Sequence, residues 1–455
     1  MKILLINPPG KTSFIAPPLG LMSLAASLRK FGHSPKILDY LIENFNQDSL
    51  FKNIQEFDLI GITSVSPHIN SALNLAHLIK KKFPNKIIVL GGSHASLLPQ
   101  ETIENNPSID FLIRGEGEIR IIQLIKYIQG EKKLEELDGI TFKKDGKIIN
   151  IEPKEFIQNL DNLPMPAYDL IPFKKYSSYL QSQFQPAITM LTSRGCPFHC
   201  IYCSKPVFGS SVRTRSPESI LKEIIFLKKN YNIKEIIFYD DIFTLEKEKI
   251  TKLCQLIIEN NIKINWKCET RVNLIDQELL NLMKKAGCYM ICYGIESGNQ
   301  KILNILKKGI ILKEVEKAVS ITKKAKIKIL GYFMIGIPEE TEENIKETIN
   351  FAKKLNPDYA QFSIATAYPG TELYQIAKEQ GKITKDFSNN FYALTKQKEL
   401  ISLCDIKSKI LQKYLRKAYR SFYFRPSYII QRIYNIKSFN DLIYNLKGFK
   451  ALLKI

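Results

Sequence analysis

Residues 187–203, AITMLTSRGCPFHCIYC, join a short apolar run to a loop that carries three cysteines. The run 187–193 has the length and composition of a buried strand, and Cys196, Cys200 and Cys203 follow it directly. The whole chain has only eight cysteines in 455 residues. Three of them in one C-x3-C-x2-C loop therefore indicate a chemical purpose rather than chance.

Two kinds of metal site compete for this loop. A structural zinc ion would use the three cysteines together with His199. Zinc sites usually join two ligand pairs across a longer spacer, because tetrahedral coordination needs ligands from two sides. An iron–sulfur cluster is larger, so one loop can wrap it, and three thiolates leave one iron open for an exchangeable ligand. The spacing favours the iron–sulfur cluster.

An alternation of strands and helices continues after this loop. Apolar runs predict strands at 187–193, 235–239, 264–268, 289–295, 327–335 and 359–365. Helical periodicity lies between them, at 217–230, 246–260, 275–286, 313–325 and 341–354. Six β/α units predict a partial TIM-type (β/α)6 barrel over 186–395, with its functional loops at the carboxyl ends of the strands.

The first 150 residues carry a separate alternation of near-continuous apolar runs and amphipathic helices, which is typical of an α/β, doubly wound (Rossmann-like) sheet. Ligands of such sheets bind at the carboxyl ends of the strands, where NPPG, TSVS, GGSH and RGEGE fall. The proline-marked segment 151–185 predicts a linker, and 396–455 predicts a helical extension.

Composition restricts the class of protein. The formal net charge is +21, and the run from Lys407 to Ile455 holds twelve Lys/Arg and one Asp. Because all eight cysteines follow residue 195 and no long apolar run is present, we expect a cytoplasmic protein without a membrane span or signal peptide. The basic tail would contact anionic lipid headgroups at the inner face of the membrane, bind nucleic acid, or cover the barrel mouth. We favour the lipid contact.

The cysteine loop after the first barrel strand resembles the radical S-adenosylmethionine (SAM) superfamily, whose C-x3-C-x2-C motif it matches fully. The resemblance implies a [4Fe-4S] cluster on Cys196, Cys200 and Cys203, with SAM at the open iron. An electron from a flavodoxin or ferredoxin then cleaves SAM to a 5'-deoxyadenosyl radical. Tyr202 is the aromatic residue expected near the adenine, and His199 receives no role.

Further barrel loops extend the resemblance to SAM contacts. Asp240 or Asp241 in FYDDIFT is expected to accept from the SAM amino group, although Asp241 would serve equally as a helix cap. Arg271 in TRVNL is the expected partner of the SAM carboxylate. Glu296 in CYGIESG is expected at the ribose hydroxyls, and Gly336 in GYFMIGIPEET beside the adenine.

A doubly wound domain ahead of such a barrel resembles the cobalamin-binding branch of this superfamily, over nearly the whole chain. The residues expected to contact cobalamin are Asn7, Thr63, Ser64, Gly91, Gly92, His94, Gly115 and Glu116. Many such domains carry Asp-x-His-x-x-Gly, whose His ligates cobalt, but this chain reads NPPGKT there. We therefore expect cobalamin without a protein His ligand; the alternative is a domain that has only kept the fold.

The resemblance implies a cobalamin-dependent radical SAM methyltransferase acting on an unactivated carbon of a hydrophobic small molecule or lipid. A cyclase or oxidoreductase on a lipid or tetrapyrrole would use the same cofactors. A tRNA methylthiotransferase would explain the charge, but that family usually holds a second cluster on N-terminal cysteines, and none precedes Cys196. An RNA-binding or scaffold protein with a structural metal rests on net charge alone, so nucleic acid is not an expected partner.

Overall fold

The computed structural model describes residues 1–10, 12, 15–176, 182–383, 400–434 and 448. The chain divides into two compact units. The first comprises Met1–Tyr176, Arg194–Cys196 and Ser204–Thr214, and the second comprises Ser177–Ser193, Pro197–Cys203 and Arg215–Ile455. The predicted linker is divided between them, and the boundary predicted at 395 and 396 lies outside the described residues.

The first unit is built on a seven-stranded sheet in the order β2-β1-β3-β4-β5-β6-β7. Its strands are β1 (Lys2–Asn7), β2 (Ser34–Asp39), β3 (Leu59–Thr63), β4 (Ile87–Gly91), β5 (Phe111–Ile113), β6 (Ile140–Lys144) and β7 (Lys147–Asn150). The first five run parallel, and β6 and β7 form an antiparallel hairpin. Because β2 and β3 lie on opposite sides of β1, the strand order reverses there, which is where doubly wound sheets bind ligands.

Helices cover both faces of this sheet. They are α1 (Leu19–Lys30), α2 (Gln47–Ile54), α3 (Ile69–Lys82), α4 (Ser93–Leu97), α5 (Pro99–Glu104) and α6 (Gly117–Ile128). Leu4 and Ile6 point into a core with α2 and α3. Successive strand residues face opposite sides, so the equally buried Ile3 and Leu5 lie on the other face, where α1 and α6 contact each other. The predicted doubly wound domain is confirmed.

The second unit is built on a six-stranded, wholly parallel sheet in the order β15-β14-β13-β12-β11-β8. Its strands are β8 (Ala187–Met190), β11 (Glu235–Phe238), β12 (Asn265–Thr270), β13 (Cys288–Glu296), β14 (Lys328–Ile335) and β15 (Tyr359–Ile364). Two short strands, β9 (Ser193–Arg194) and β10 (Arg213–Thr214), flank the cysteine loop. This order, with β8 and β15 at its edges, confirms the predicted partial barrel.

The helices of the second unit follow the strands in turn. They are α7 (Pro217–Tyr231), α8 (Lys247–Glu259), α9 (Gln277–Lys285), α10 (Gln300–Ile305), α11 (Leu312–Lys324), α12 (Glu342–Leu355), α13 (Glu372–Glu379), α14 (Ser408–Tyr423) and α15 (Pro426–Tyr434). The hydroxyls of Tyr419 and Tyr423 on α14 bond to the backbone of Phe362 and Ala360 in β15. These bonds protect the edge of the sheet.

The C-terminal helices explain where the basic tail packs. Leu411, Leu415, Ala418 and Phe422 bury one side of α14, which contacts β15 and α12. The predicted helical tail continues past Tyr434 into residues that the structure leaves undescribed, apart from position 448. Within the described part, every helix is too short or too polar to cross a lipid bilayer.

Candidate functional site

The cysteine loop is anchored in the second unit by Ile201. This side chain is 2 % exposed, and its backbone donates to the carbonyl of Leu306 at 3.1 Å and accepts from the amide of Leu373 at 2.9 Å. The amide of Cys203 donates to the carbonyl of Cys200 at 3.0 Å, which closes a turn. Burial of Ile201 between the two cysteines leaves the thiol of Cys203 exposed and that of Cys200 half-buried.

The cysteines of this loop are the accessible ones in the chain. All eight cysteines lie among the described residues and form no disulfide bond, and the other five are buried: Cys254, Cys268, Cys288, Cys292 and Cys404. Among the described residues, no three His, Cys, Asp or Glu side chains converge on a point that would hold one metal ion. An iron–sulfur cluster fits the donor set better, because each thiolate binds a different iron atom.

Arg271 lies against this loop from the end of β12. Its Nη1 donates to the Sγ of Cys200 at 3.7 Å, and its guanidinium carbon lies 3.8 Å from the ring centre of Phe198. Its Nη2 donates to the carbonyl of Lys308. The structure thus brings Arg271 to one of the predicted cluster ligands, with its side chain only 5 % exposed.

Tyr202 and Glu296 meet around a lysine that the sequence pattern did not single out. The hydroxyl of Tyr202 donates to Oε1 of Glu296 at 2.9 Å. Nζ of Lys308 donates to the same oxygen at 2.9 Å and to the tyrosine hydroxyl at 3.0 Å. Burial, with the charge of Glu296, raises the pKa of Tyr202 well above its ordinary value, so the hydroxyl remains a donor.

Gly294 makes room for this ion pair. A Cβ atom at this position would lie 2.6 Å from Oε1 of Glu296 and 2.8 Å from Nζ of Lys308. Glu296 itself has a φ of 67°, where the pairing between β13 and β14 shifts register. A side chain at 294 would therefore force the ends of the Glu296 and Lys308 side chains to move.

Asp240 fixes the residues that follow β8 through one of its carboxylate oxygens. Its Oδ1 accepts from the hydroxyl and amide of Thr192 at 2.8 and 2.9 Å, and from the hydroxyl and amide of Ser193. Burial raises its pKa to about 6. The neighbouring Asp241 is exposed to solvent.

Glu340 organises the loop that contains Gly336. One carboxylate oxygen accepts from the amides of Gly336 and Ile337, the latter at 3.1 Å. The side chain is 3 % exposed, and burial raises its pKa to about 7. Glu340 is not among the residues predicted from the sequence, and its position shortly after the Gly336-Ile337-Pro338 turn is the one feature of the sequence that points to it.

Three buried polar atoms without hydrogen-bond partners among the described residues lie at one end of this sheet. They are Oδ2 of Asp240 after β11, Nε of Arg271 after β12 and Oε1 of Glu340 after β14. The carboxyl ends of parallel strands meet at the same edge. Two acceptors and one donor at this edge suit a ligand that carries both an ammonium and a carboxylate group.

A polar pair lies further down the strands. The hydroxyl of Tyr332 on β14 donates to Oε1 of Glu269 on β12 at 2.9 Å, and Glu269 is in register with Cys292 on β13. Burial raises the pKa of Glu269. The neighbouring Cys292 belongs to a buried cluster with Met290 that also packs Phe184, Leu330, Tyr332 and Tyr359. The charges of Lys267, Asp241 and Glu296 also act on the Glu269 carboxyl.

In the first unit, the predicted cobalamin contacts lie at the ends of adjacent strands. Asn7 ends β1, Thr63 and Ser64 end β3, Gly91 and Gly92 end β4, and Gly115 follows β5. Ser64 donates to the carbonyl of Gly91 through its amide at 2.7 Å and its hydroxyl at 2.8 Å. Gly92 has a φ of 99°, and a Cβ there would lie 2.5 Å from the carbonyl oxygen of Ser64. A side chain at 92 would therefore break this turn.

Asn7 and His94 have protein partners of their own. Nδ2 of Asn7 donates to Asp39 at 2.9 Å, and the amide of Gly115 donates to Ser96 at 2.9 Å. Nδ1 of His94 lies 3.1 Å from the hydroxyl of Ser66, and burial lowers the pKa of His94 to about 4. The imidazole is therefore neutral at physiological pH.

Glu116, another predicted cobalamin contact, belongs to a buried ion-pair network. It accepts from Arg194 at 2.8 Å, from Arg213 at 2.6 Å and from the amide of Ile157 at 2.8 Å. Arg194 also donates to Glu118 at 2.6 Å. Both oxygens of Glu116 are used by these contacts. The sequence does not reveal this, because the partners lie far apart in the chain.

Two family models match the chain. The radical SAM superfamily model matches residues 190–352, and the B12 binding domain model matches residues 10–125. The first range contains the cysteine loop and the strands from β9 to β14, and the second contains most of the parallel part of the first sheet.

Relatives and a solved structure agree with these matches. The chain is 37% identical over 448 residues to an uncharacterized methyltransferase, PH0819, of Pyrococcus horikoshii, with 96% of each chain covered. It is 26% identical to the anaerobic magnesium-protoporphyrin IX monomethyl ester cyclase of Rubrivivax gelatinosus, over 88% of this chain and 73% of the cyclase. The radical SAM methyltransferase TsrM of Kitasatospora setae has been solved with cobalamin and a [4Fe-4S] cluster bound, and it has the same fold. The two structures superpose with a TM-score of 0.72 at 18% sequence identity, and the match covers 84% of this chain and 78% of TsrM. The chain therefore belongs to the radical SAM superfamily, in the branch that carries a B12-binding domain ahead of the radical SAM domain.

Proposed function

We propose that this protein is a cobalamin-dependent radical SAM methyltransferase that acts on a largely apolar small molecule. The observation that carries the proposal is the C-x3-C-x2-C loop at the carboxyl end of the first strand of a parallel six-stranded sheet, with the buried Arg271 against Cys200. When bound, the iron–sulfur cluster, SAM and cobalamin supply radical and methyl-transfer chemistry that side chains cannot perform. The P. horikoshii relative, named as a methyltransferase, supports methyl transfer.

Cys196, Cys200 and Cys203 would hold the cluster. Asp240 and Glu340 would accept from the SAM ammonium group, and Arg271 would donate Nε to its carboxylate, since each of these has an unpartnered buried atom at this edge. Glu296, oriented by Lys308, would accept from the ribose hydroxyls. Tyr202 and the Gly336 turn would border the adenine, and Asp241 would remain at the exposed rim.

Cobalamin would bind at the carboxyl edge of the first sheet. Asn7 and Thr63 flank the point where the strand order reverses, and the tight turn at Ser64, Gly91 and Gly92 keeps side chains out of this edge. His94 and Gly115 would border the same edge. We expect no protein His ligand from the NPPGKT loop, because that segment contains no imidazole.

The substrate would bind against the apolar cluster around Glu269 and Tyr332. A polar pair beside Met290, Leu330 and Tyr359 suits a mainly apolar molecule that carries a hydrogen-bonding group. The cyclase relative makes ring closure on a tetrapyrrole the second candidate function. A flavodoxin or ferredoxin would supply the electron, in the cytoplasm.

We also propose that α14 contacts an anionic membrane surface. Lys409, Lys413, Arg416 and Arg420 are exposed along one side of this helix, which has no acidic residue. Ile429, Ile430 and Ile433 of α15 are 43%, 54% and 64% exposed. Basic and apolar groups in adjacent helices match the headgroup region of a bilayer.

The test is anaerobic purification, iron and sulfide analysis, and incubation with SAM and a reductant. The wild-type protein should retain a [4Fe-4S] cluster and release 5'-deoxyadenosine, whereas Cys196→Ala, Cys200→Ala and Cys203→Ala should do neither. Cys254→Ala, which removes a buried cysteine of α8, is the matched control and should retain both. Retention of cluster and cleavage in any loop variant would refute the proposal. Formation of S-adenosylhomocysteine beside deoxyadenosine distinguishes methyl transfer from cyclisation.

A further inference from the structure

Arg271 is a buried cation without an acidic partner. Its side chain is 5 % exposed, and among the described residues it forms no ion pair with a carboxylate. Lys308, which is buried beside it, differs in this respect because Glu296 balances its charge at 2.9 Å. An unpaired buried charge is costly, so the position of Arg271 calls for an anionic group close to its guanidinium.

The contacts of Arg271 indicate where that anion lies. Nη1 points at the sulfur of Cys200, the guanidinium face covers the ring of Phe198, and Nη2 is fixed by the carbonyl of Lys308. Two of these three groups belong to the cysteine loop. The positive charge is therefore held beside the loop's sulfur ligand, and Nε has no acceptor among the described residues.

We infer that Arg271 is a positioning residue of the iron–sulfur site, which holds the cysteine loop in place and raises the reduction potential of the cluster bound there. The inference rests on the proposed function, since it requires that the loop binds a cluster. Reduction adds one negative charge to the cluster, and a fixed cation beside a ligand sulfur stabilises the reduced form more than the oxidised form. Hydrogen bonds to the cluster's sulfur atoms act in the same direction.

The experiment measures the cluster's midpoint potential by a redox titration followed by electron paramagnetic resonance, without SAM. Arg271→Gln removes the charge and should shift the midpoint to a more negative potential at unchanged iron content. Arg271→Lys keeps the charge but loses the planar contact with Phe198 and Cys200, so its midpoint should lie between those of the wild type and the Gln variant. Arg425→Gln is the matched control and should leave the potential unchanged, because Arg425 bonds to Lys353 and Asn356 at the end of α12.

The outcomes separate this inference from the proposed function. Wild-type protein that binds no iron would refute the proposed function itself. A Gln variant with full iron content and the wild-type midpoint potential would overturn the inference but not the proposed function. A midpoint potential that changes only after SAM is added would also overturn the inference, because Arg271 would then act through the SAM carboxylate. If the Gln variant retains no iron, Arg271→Lys decides: a more negative midpoint supports the inference and a wild-type midpoint overturns it.

Discussion

Arg194 donates to Glu116 at 2.8 Å, and both side chains are buried although 78 positions separate them in the sequence. Glu116 also accepts from Arg213, and Arg194 also donates to Glu118. Although burial alone would raise the pKa of Glu118, the guanidinium of Arg194 keeps this pKa below its usual range. The network therefore pairs two carboxyl groups with two guanidinium groups, and Arg194 lies two residues before the first cysteine of the loop.

Glu116→Gln should strongly destabilise the first unit. The substitution leaves Arg194 and Arg213 with one carboxylate instead of two, and breaking a buried ion pair costs about 3–5 kcal/mol. Denaturant unfolding of the variant and the wild type measures this loss. Asp169→Asn removes an exposed ion pair with Arg29 and is the control, with an expected loss of about 0–1 kcal/mol. Equal losses in the two variants would contradict the structural role of the network.

Glu340 should make stability fall as the pH rises. Burial raises its pKa from 4.5 to about 7, so between these values the native carboxyl holds a proton that the unfolded chain has lost. Stability is therefore present at low pH and declines as the pH rises through this window. Glu340→Gln does not titrate, so its stability relative to the wild type should rise by on the order of 3 kcal/mol between pH 4.5 and about pH 8. Unfolding curves at both pH values test this, and a difference independent of pH would disprove it.

Gly294→Ala should disrupt the contacts among Tyr202, Glu296 and Lys308. The new methyl group would overlap the carboxylate and the ammonium, at an expected cost of about 1–3 kcal/mol and with weaker binding of SAM. Thermal unfolding and equilibrium binding of SAM measure the two effects. Gly20→Ala in α1 has open space around the new methyl group and should change stability by no more than about 0.5–1 kcal/mol. Normal SAM binding by the Gly294 variant would show that the ion pair is not needed.

Reversing four charges on α14 should abolish binding to anionic vesicles. Each basic residue near a charged lipid surface contributes about 1 kcal/mol, so replacing Lys409, Lys413, Arg416 and Arg420 by Glu should lower partitioning by about 100-fold or more. Co-sedimentation with phosphatidylglycerol vesicles at low salt measures this, with phosphatidylcholine vesicles as the uncharged comparison.

The control for this prediction makes the same change in net charge elsewhere. Lys313, Lys317, Lys324 and Lys326 are exposed on or just after α11, a helix that also carries Glu314 and Glu316. Their replacement by Glu should reduce vesicle binding much less. If both quadruple variants lose binding equally, the attraction comes from net charge and not from α14.

The amino-acid sequence alone determined the architecture and the cofactor class of this protein. Near-continuous apolar runs and the helical period of 3.6 predicted both sheets, because strands buried on both faces are apolar throughout and helices that pack on them are apolar on one face. The C-x3-C-x2-C spacing identified the cluster loop, because its ligands are close together in the chain. The short helices α2, α4, α5, α10 and α13 had no counterpart in these predictions, since each offers too few turns for a periodic signal.

Only the tertiary structure decided which charged side chains meet. Glu116 pairs with Arg194 and Arg213, Arg271 reaches Cys200, and Lys308 joins Glu296 to Tyr202. These pairs join loops that follow different strands, and their separation in the chain carries no periodic signal. Parallel strands bring such loops to one edge, so contacts at that edge depend on strand order, register and burial, which a local pattern of residues does not contain.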